Sequence, residues 1–225
     1  MMTKLEYPQF HQAEIFRDLP EKERQRLLLE SNSRKLLKGQ FLAHQEEIWP
    51  YVVYVHSGQL RWTMLSTSGK EHTLFNINPT ETFWAHSIFD DKPLPASLVA
   101  AKRTEVLLWD HDTILRYLRR YPDVMWEITG MLTRIMRQAR EIIYSLAFKP
   151  VAGRLASLLL DQYSNQAKPA LERNFTLNDL ASTVAASPEV ICRVLYQFQE
   201  DGILEVTRAS ITIHDLEALK NAQGE

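Results

Sequence analysis

The chain has 225 residues, 45% of them hydrophobic and 24% charged, with a formal net charge of −2. That balance allows a sizeable core and excludes a disordered chain, while 7 Gly and 10 Pro exclude collagen-like or linker-dominated architectures. The one cysteine, Cys192, excludes an intrachain disulfide, a Cys-ligated iron–sulfur cluster and a Cys-rich zinc site, and no apolar window is long enough for a membrane span.

Met1–Glu6 carries no basic-then-apolar leader, so a cytoplasmic protein is expected. From Tyr7 to Leu37 the pattern is short and helical, with Phe16–Pro20 as a turn into a charged helix ending before Gly39. The period becomes two from Phe41 to Trp109. Tyr51–His56 and Gln59–Leu65 read as strands, Ser66–Lys70 as a hairpin turn and His72–Ile77 as the return strand, with Glu105–Trp109 closing the series. Short strands with turn signals between them point to a small antiparallel barrel or roll.

Pro122–Phe148 contains no internal proline and carries the apolar seam Ile128, Leu132, Ile135, Ala139, Ile142 and Leu146, stepping by four and three alternately. Such a heptad repeat suits a two-stranded dimer helix, and Met131, Met136 and Ile143 widen its apolar face. The competing reading is one amphipathic helix buried on its own domain. Gly130, opposite the seam, costs about 1 kcal/mol against Ala. Pro150 breaks the run, Val151–Tyr163 reads as another helix, and Ser164–Ala170 as a loop.

Phe175–Ala181 opens with a capping box in which Thr176 caps the helix and Asp179 takes the place of the usual Glu or Gln. That helix runs to about Ala185. Ser187-Pro188-Glu189 then supplies an N-cap, a proline at the first helical position and an acid at the positive dipole end. The helix Val190–Glu200 follows, with Val190, Ile191, Val194, Leu195 and Phe198 facing inward. Two helices joined so tightly are a helix-turn-helix, and the hairpin Ile203–Ile213 beyond Asp201-Gly202 makes it winged. Charge opposes nucleic-acid binding, since residues 150–225 hold six Lys/Arg against ten Asp/Glu, a net of −4. Local placement of Arg193 and Arg208, backbone N–H groups at helix starts and doubling by dimerisation must compensate.

At this point the chain, from about residue 10 to 220, resembles the Crp/Fnr superfamily of transcription regulators. The matching residues are Leu37-x-x-Gln40 beside Gly39, Tyr54-x-His56-x-Gly58, Gly69-Lys70-Glu71, Tyr121-Pro122-Asp123, Leu146-Ala147-Phe148 with Gly153-Arg154, and Leu180-Ala181 through Ser187-x-Glu189-x-x-x-Arg193. Asp201-Gly202-Ile203-Leu204 completes the most specific part. The resemblance implies an α+β chain: an N-terminal cyclic-nucleotide-binding-type β-roll (1–120), a long dimerisation helix (121–148) and a C-terminal winged helix-turn-helix (149–225). It further implies that Glu189 and Arg193 read base edges. Arginine suits a bidentate contact with guanine, and a carboxylate suits accepting from cytosine N4. Competing roles are a helix-dipole acid for Glu189 and a phosphate clamp for Arg193. The expected DNA surface is Thr176, Ser187, Glu189, Cys192, Arg193, Tyr196, Gln197 and Arg208, and the implied partners are double-stranded DNA, a second copy of the chain and RNA polymerase. Cys192 stands where the family has small or hydroxyl residues, with inert filler preferred to a redox role. Ala185 replaces a turn glycine, so that turn avoids positive φ or tolerates strain.

The expected effector pocket is Trp84, Ala85, His86, Pro95, Ala96 and Ser97. Cyclic-nucleotide binders of the family place a Gly-Glu pair and an arginine there. This chain has neither, which argues against cyclic AMP because a buried phosphate without its cation is costly. Trp84 is expected to fill the nucleotide's space, and Lys92 would have to replace the arginine from a shifted position. His44, His56, His72 and His86 stand singly, so neither haem nor another metal is expected, and no nucleophile motif or phosphate-cradling loop suggests an enzyme. The effector is left unknown: an apolar or weakly polar molecule, or none. The alternative function is a dimeric β-roll interaction module with vestigial DNA contacts.

Overall fold

A computed structural model describes residues 7, 9–13, 16, 17, 19–164, 170–172 and 175–224, so most of the expected loop Ser164–Ala170, and Met1–Glu6, lie outside the described residues. A short 3-10 turn, Phe10–Gln12, precedes helix α1 (Glu21–Leu29). Six strands follow: β1 (Asn32–Leu36), β2 (Phe41–Ala43), β3 (Tyr51–Ser57), β4 (Leu60–Leu65), β5 (Glu71–Ile77) and β6 (Thr82–Trp84). Then come α2 (Ser87–Asp90), β7 (Ser97–Ala100), β8 (Thr104–Asp110), α3 (His111–Arg120) and the long α4 (Asp123–Phe148). The chain ends in α5 (Val151–Ser164), β9 (Ala170–Glu172), α6 (Leu177–Thr183), α7 (Pro188–Glu200), β10 (Leu204–Val206), β11 (Ser210–Ile213) and α8 (Leu216–Asn221). Two compact units result, residues 1–67 with 73–137, and 68–72 with 138–225.

The first unit is the expected roll, two four-stranded sheets ordered β1-β8-β3-β6 and β2-β7-β4-β5. Successive strand residues point to opposite faces, and this alternation sorts the core. Val53 pairs with Phe83 and Leu108, and all three join Leu60, Trp62 and Leu98 in the layer between the sheets. Their neighbours Val52, Trp84 and Trp109 form the next row and face an outer layer built from Phe10, Phe16, Leu27, Ile114, Val124 and Ile128. Trp109 is fully buried there, and its indole N–H donates to the Leu27 carbonyl at 2.7 Å, as burying that ring requires. The Tyr54 and Tyr117 hydroxyls of this layer are buried without a hydrogen-bond partner among the described residues. Burial pushes both phenols up to about 12. Gly58 is left-handed (φ 87°), and a Cβ there would stand 2.4 Å from the Arg103 carbonyl oxygen, so the tight β3–β4 turn needs glycine.

One sequence expectation is corrected here. The helical texture to Leu37 stops at Leu29, and Asn32–Leu36 is a strand paired with β8. As an edge strand β1 leaves Asn32, Ser33, Arg34 and Lys35 exposed, so it has no apolar alternation to read.

In the second unit α5, α6, α7 and α8 pack around Leu155, Leu159, Leu180, Ile191, Leu195, Phe198 and Leu219. The hairpin β10–β11 is a three-stranded sheet, because β9 pairs with β11. Gly153 lets α5 meet the chain end, where a Cβ would fall 2.2 Å from the Gln223 carbonyl oxygen.

Candidate nucleic-acid interface

Helix α7 starts as its sequence dictates. The Ser187 hydroxyl accepts from the Val190 N–H, and Pro188 occupies the first turn, where its missing donor costs nothing. Glu189 is held below its usual carboxylate range by the Ser187 hydroxyl first and by its own backbone N–H second, so it is ionised at neutral pH. Ile191, Leu195 and Phe198 are buried against α5 and α6, which turns the opposite face outward. Glu189, Cys192, Arg193 and Tyr196 lie at steps of three and four on that face, and all four are exposed. With Leu177 and Pro188 they line an open groove of about 590 Å³.

Beside it, Phe175, Thr176, Leu177, Asn178 and Arg208 line a second groove, sharing Leu177 with the first. Arg208 reaches it from the β10–β11 turn. The capping box of α6 is complete: the Asp179 N–H donates to the Thr176 hydroxyl at 3.1 Å, and the Thr176 N–H donates to the Asp179 carboxylate at 2.8 Å. Gln197 lines neither groove, since its amide donates to Asp201 at 3.0 Å. Leu177, Asn178 and Pro188 are surface positions that capping logic read only as helix-start residues.

Neither Arg193 nor Arg208 has an ion-pair partner among the described residues. Much of the unit's acidity is engaged elsewhere. Asp179 and Asp215 cap helices, Glu205 meets His214 at 3.5 Å, and Glu217 meets Lys220 at 2.7 Å. The exposed Cys192 thiol is free.

The turn before α7 does take positive φ, with Ala185 at 52°. The Ala186 N–H closes back on the Ala181 carbonyl at 2.9 Å, the Schellman pattern that glycine normally serves.

The long helix corrects the expected seam. Ile128 is buried in the roll's outer layer beside Val124, with Met131 packed against it, and Ile135 and Ile142 are half-buried. The exposed apolar stripe is Met125, Leu132, Met136, Ala139, Ile143 and Leu146, with Met136 73% and Ile143 67% exposed. Leu132, Ala139 and Leu146 therefore stay on the free face, while Ile128 leaves it for the roll and Met136 and Ile143 stand on it. Using the helix flank to cover the roll rotates the free heptad face by one residue.

The six expected effector residues divide between the two layers of the roll and its surface. Phe83 and Trp84 are adjacent on β6 and point oppositely, so Trp84 packs outward near Phe16, and Phe83 with Trp62 (4.7 Å between rings) fills the interior. Trp84, expected to fill a nucleotide's space, belongs to the outer layer and not to the interior between the sheets. Ala85 and Ala96 are fully buried in that interior, while His86, stacked on Trp62, and Pro95 are exposed. Ser97 is buried, its hydroxyl accepting from the Gln45 N–H at 2.8 Å. Lys92 is exposed. With two alanines buried where a carboxylate and a phosphate contact are needed, these residues do not fit a cyclic nucleotide. No cluster of three or more metal-ligating side chains occurs among the described residues.

A roll followed by a winged helix-turn-helix defines a class of regulator, and family comparisons agree with it module by module. Residues 33–121 match the cyclic nucleotide-binding domain and residues 153–222 the Crp-like helix-turn-helix domain. The chain belongs to the Crp/Fnr superfamily of transcription regulators, with the DNA-binding domain at its C-terminal end. It is 26% identical over 183 residues to the cyclic AMP receptor protein of Thermus thermophilus, covering 81% of this chain and 84% of the relative. Among solved structures, a CooA variant from Carboxydothermus hydrogenoformans superposes with a TM-score of 0.75 at 23% identity, covering 88% and 90% of the two chains. The c-di-GMP-responsive regulator CLP of Xanthomonas campestris gives 0.76 at 19% identity, covering 84% and 96%. No helix among the described residues is long and apolar enough to cross a membrane.

Proposed function

We propose that this regulator is a cytoplasmic homodimer that binds specific sites in double-stranded DNA and does not respond to cyclic AMP. The observation that carries the reading is the single exposed face of α7, with Glu189, Cys192, Arg193 and Tyr196 around one groove and Arg193 unpaired among the described residues. Arg193 donates two guanidinium N–H groups to a guanine edge, and the ionised Glu189 accepts from a cytosine amine. Cys192 and Tyr196 flank them, while Ser187, Arg208 and the start of α6 at Thr176 hold the sugar–phosphate backbone. Gln197 is the weakest member of this set, being tied to Asp201.

The exposed apolar stripe Met125–Leu146 supports the reading as a surface for a second copy, because two α7 helices must meet successive major grooves roughly 34 Å apart. The functional segments are the roll (1–120), the dimer helix (121–148) and the DNA-binding module (149–225). The Thermus relative is named for cyclic AMP and CLP for c-di-GMP, yet Ala85 and Ala96, buried in the roll's interior, offer a nucleotide no charge. The effector is an apolar or weakly polar molecule, or effector binding has been lost. RNA polymerase is the expected protein partner of such a regulator.

A low-salt gel shift with pooled promoter DNA tests the proposal: a discrete, saturable complex supports it. Complete absence of retardation favours the second reading, a dimeric interaction module, which the net charge of −4 over residues 150–225 supports.

A further inference from the structure

We infer that Arg154 is a positioning residue for the recognition helix, fixing a left-handed turn that this chain builds without glycine. The inference rests on the DNA-binding reading only for its functional consequence.

The molecule contains its own control. Helix α7 ends on Gly202 (φ 71°), with the Ile203 N–H closing on the Phe198 carbonyl at 2.9 Å. Helix α6 ends in the same way, the Ala186 N–H closing on the Ala181 carbonyl at 2.9 Å, but its left-handed residue is Ala185 (φ 52°). Glycine adopts that conformation without a steric penalty, whereas a Cβ crowds the following carbonyl. The alanine stop carries an additional fastening. The Arg154 Nε donates to the Val184 carbonyl at 2.8 Å, and its Nη2 lies 3.4 Å from the Ala185 carbonyl oxygen. A third donor, Nη1, reaches the Lys149 carbonyl at 3.1 Å, at the break between α4 and α5.

One planar guanidinium thus holds carbonyls on both sides of the strained peptide and ties them to the end of α4. Lysine cannot reproduce that fork of donors. The residue after Ala186 is Ser187, the cap of α7, so any relaxation of Ala185 changes the angle at which Glu189 and Arg193 are presented. Gly153 and Arg154 then have separate tasks, the first admitting the chain end and the second setting the turn.

The test is a double-mutant cycle on the full-length chain with Arg154→Gln and Ala185→Gly. In hydrogen exchange followed by mass spectrometry, Arg154→Gln should speed exchange in peptides covering Val184–Ser187 and leave those covering Gly202–Leu204 at the wild-type rate. Affinity for a selected DNA site should fall about tenfold, the scale of losing charge-assisted hydrogen bonds. Ala185→Gly should restore most of both losses while changing little alone, and Arg154→Lys, which keeps the charge, should fall between. Equal acceleration of both stops, or the same effect of Ala185→Gly in both backgrounds, would overturn the assignment. Arg154→Lys provides the same comparison if the glutamine variant does not fold. Failure of the wild type to bind DNA overturns the regulator reading instead, and leaves the exchange cycle to judge the clamp.

Discussion

In the roll, Ala85 and Ala96 are both fully buried in the apolar cluster that holds Trp62, Phe83 and Leu98. In the winged module, by contrast, Glu189 and Arg193 stand exposed at steps of four on a helix whose other face is core. The comparison separates two kinds of dependence. In the roll, small apolar residues and aromatic rings such as Trp62 and Phe83 pack together, and the fold depends on that packing. The outer face of α7 is exposed, so its chemistry depends on the side chains themselves.

The severest way to break this contrast is to reopen the roll. Trp62→Ala should destabilise by about 3–5 kcal/mol in denaturant titrations, the cost of truncating a buried aromatic. Calorimetry should still detect no cyclic AMP binding, because space supplies neither carboxylate nor cation. Micromolar binding would show that packing alone excluded the nucleotide.

Next comes assembly. Glutamate at both Met136 and Ile143 should give a monomer in sedimentation, since unpaired charges in an apolar seam are strongly unfavourable. The same change at Ile135 and Ile142 should dissociate the dimer less completely. Equal effects would restore the unrotated heptad.

In the winged module, Gly153→Ala forces a methyl group to within 2.2 Å of the Gln223 carbonyl. We expect a loss of about 1–3 kcal/mol, as for other overpacked sites, with α8 displaced. An unchanged melting temperature would mean that the chain end is not fixed there.

The smallest effect is a gain. Tyr54→Phe removes a buried hydroxyl with no partner among the described residues and should be neutral or stabilising by up to about 1 kcal/mol. The Tyr54 phenol is raised to about 12 in the folded chain against an ordinary value of 10.0. The folded state therefore holds the proton more tightly, so this contribution is complete below about pH 10 and lost as pH rises toward 12. The phenylalanine variant should lose less stability than wild type over that alkaline window, measured by thermal melts.

The sequence makes the winged module legible because caps and helix periods are local. Thr176, Ser187, Pro188 and Gly202 mark their boundaries directly, and the steps between Glu189, Arg193 and Tyr196 define a face. The roll's main strands are legible by alternation, but β1 is not, since its exposure is decided by pairing with β8 on one side only. The phase of the exposed apolar stripe on α4 is not legible for a related reason. Ile128 and Leu132 are equally apolar, and only the roll packed against α4 decides which of them is free. Likewise, Phe83 and Trp84 differ in the face of β6 they occupy, which depends on strand register. The left-handed turn at Ala185 goes against local preference, and its fastener Arg154 lies 31 residues away.

If α7 reads base edges with Arg193 and Glu189, the sequence preference of the bound DNA must depend on those two side chains. Selection of bound sites from random DNA, at one fixed salt concentration, should give a two-fold symmetric site for the wild type. Arg193→Ala should then lose the guanine preference at one symmetric pair of positions and cost about 1–3 kcal/mol per half-site. A phosphate clamp would instead weaken all sequences evenly, with the salt slope reduced by about one per contact. An unchanged site and affinity in the variant, or no enriched site for the wild type, would contradict the account.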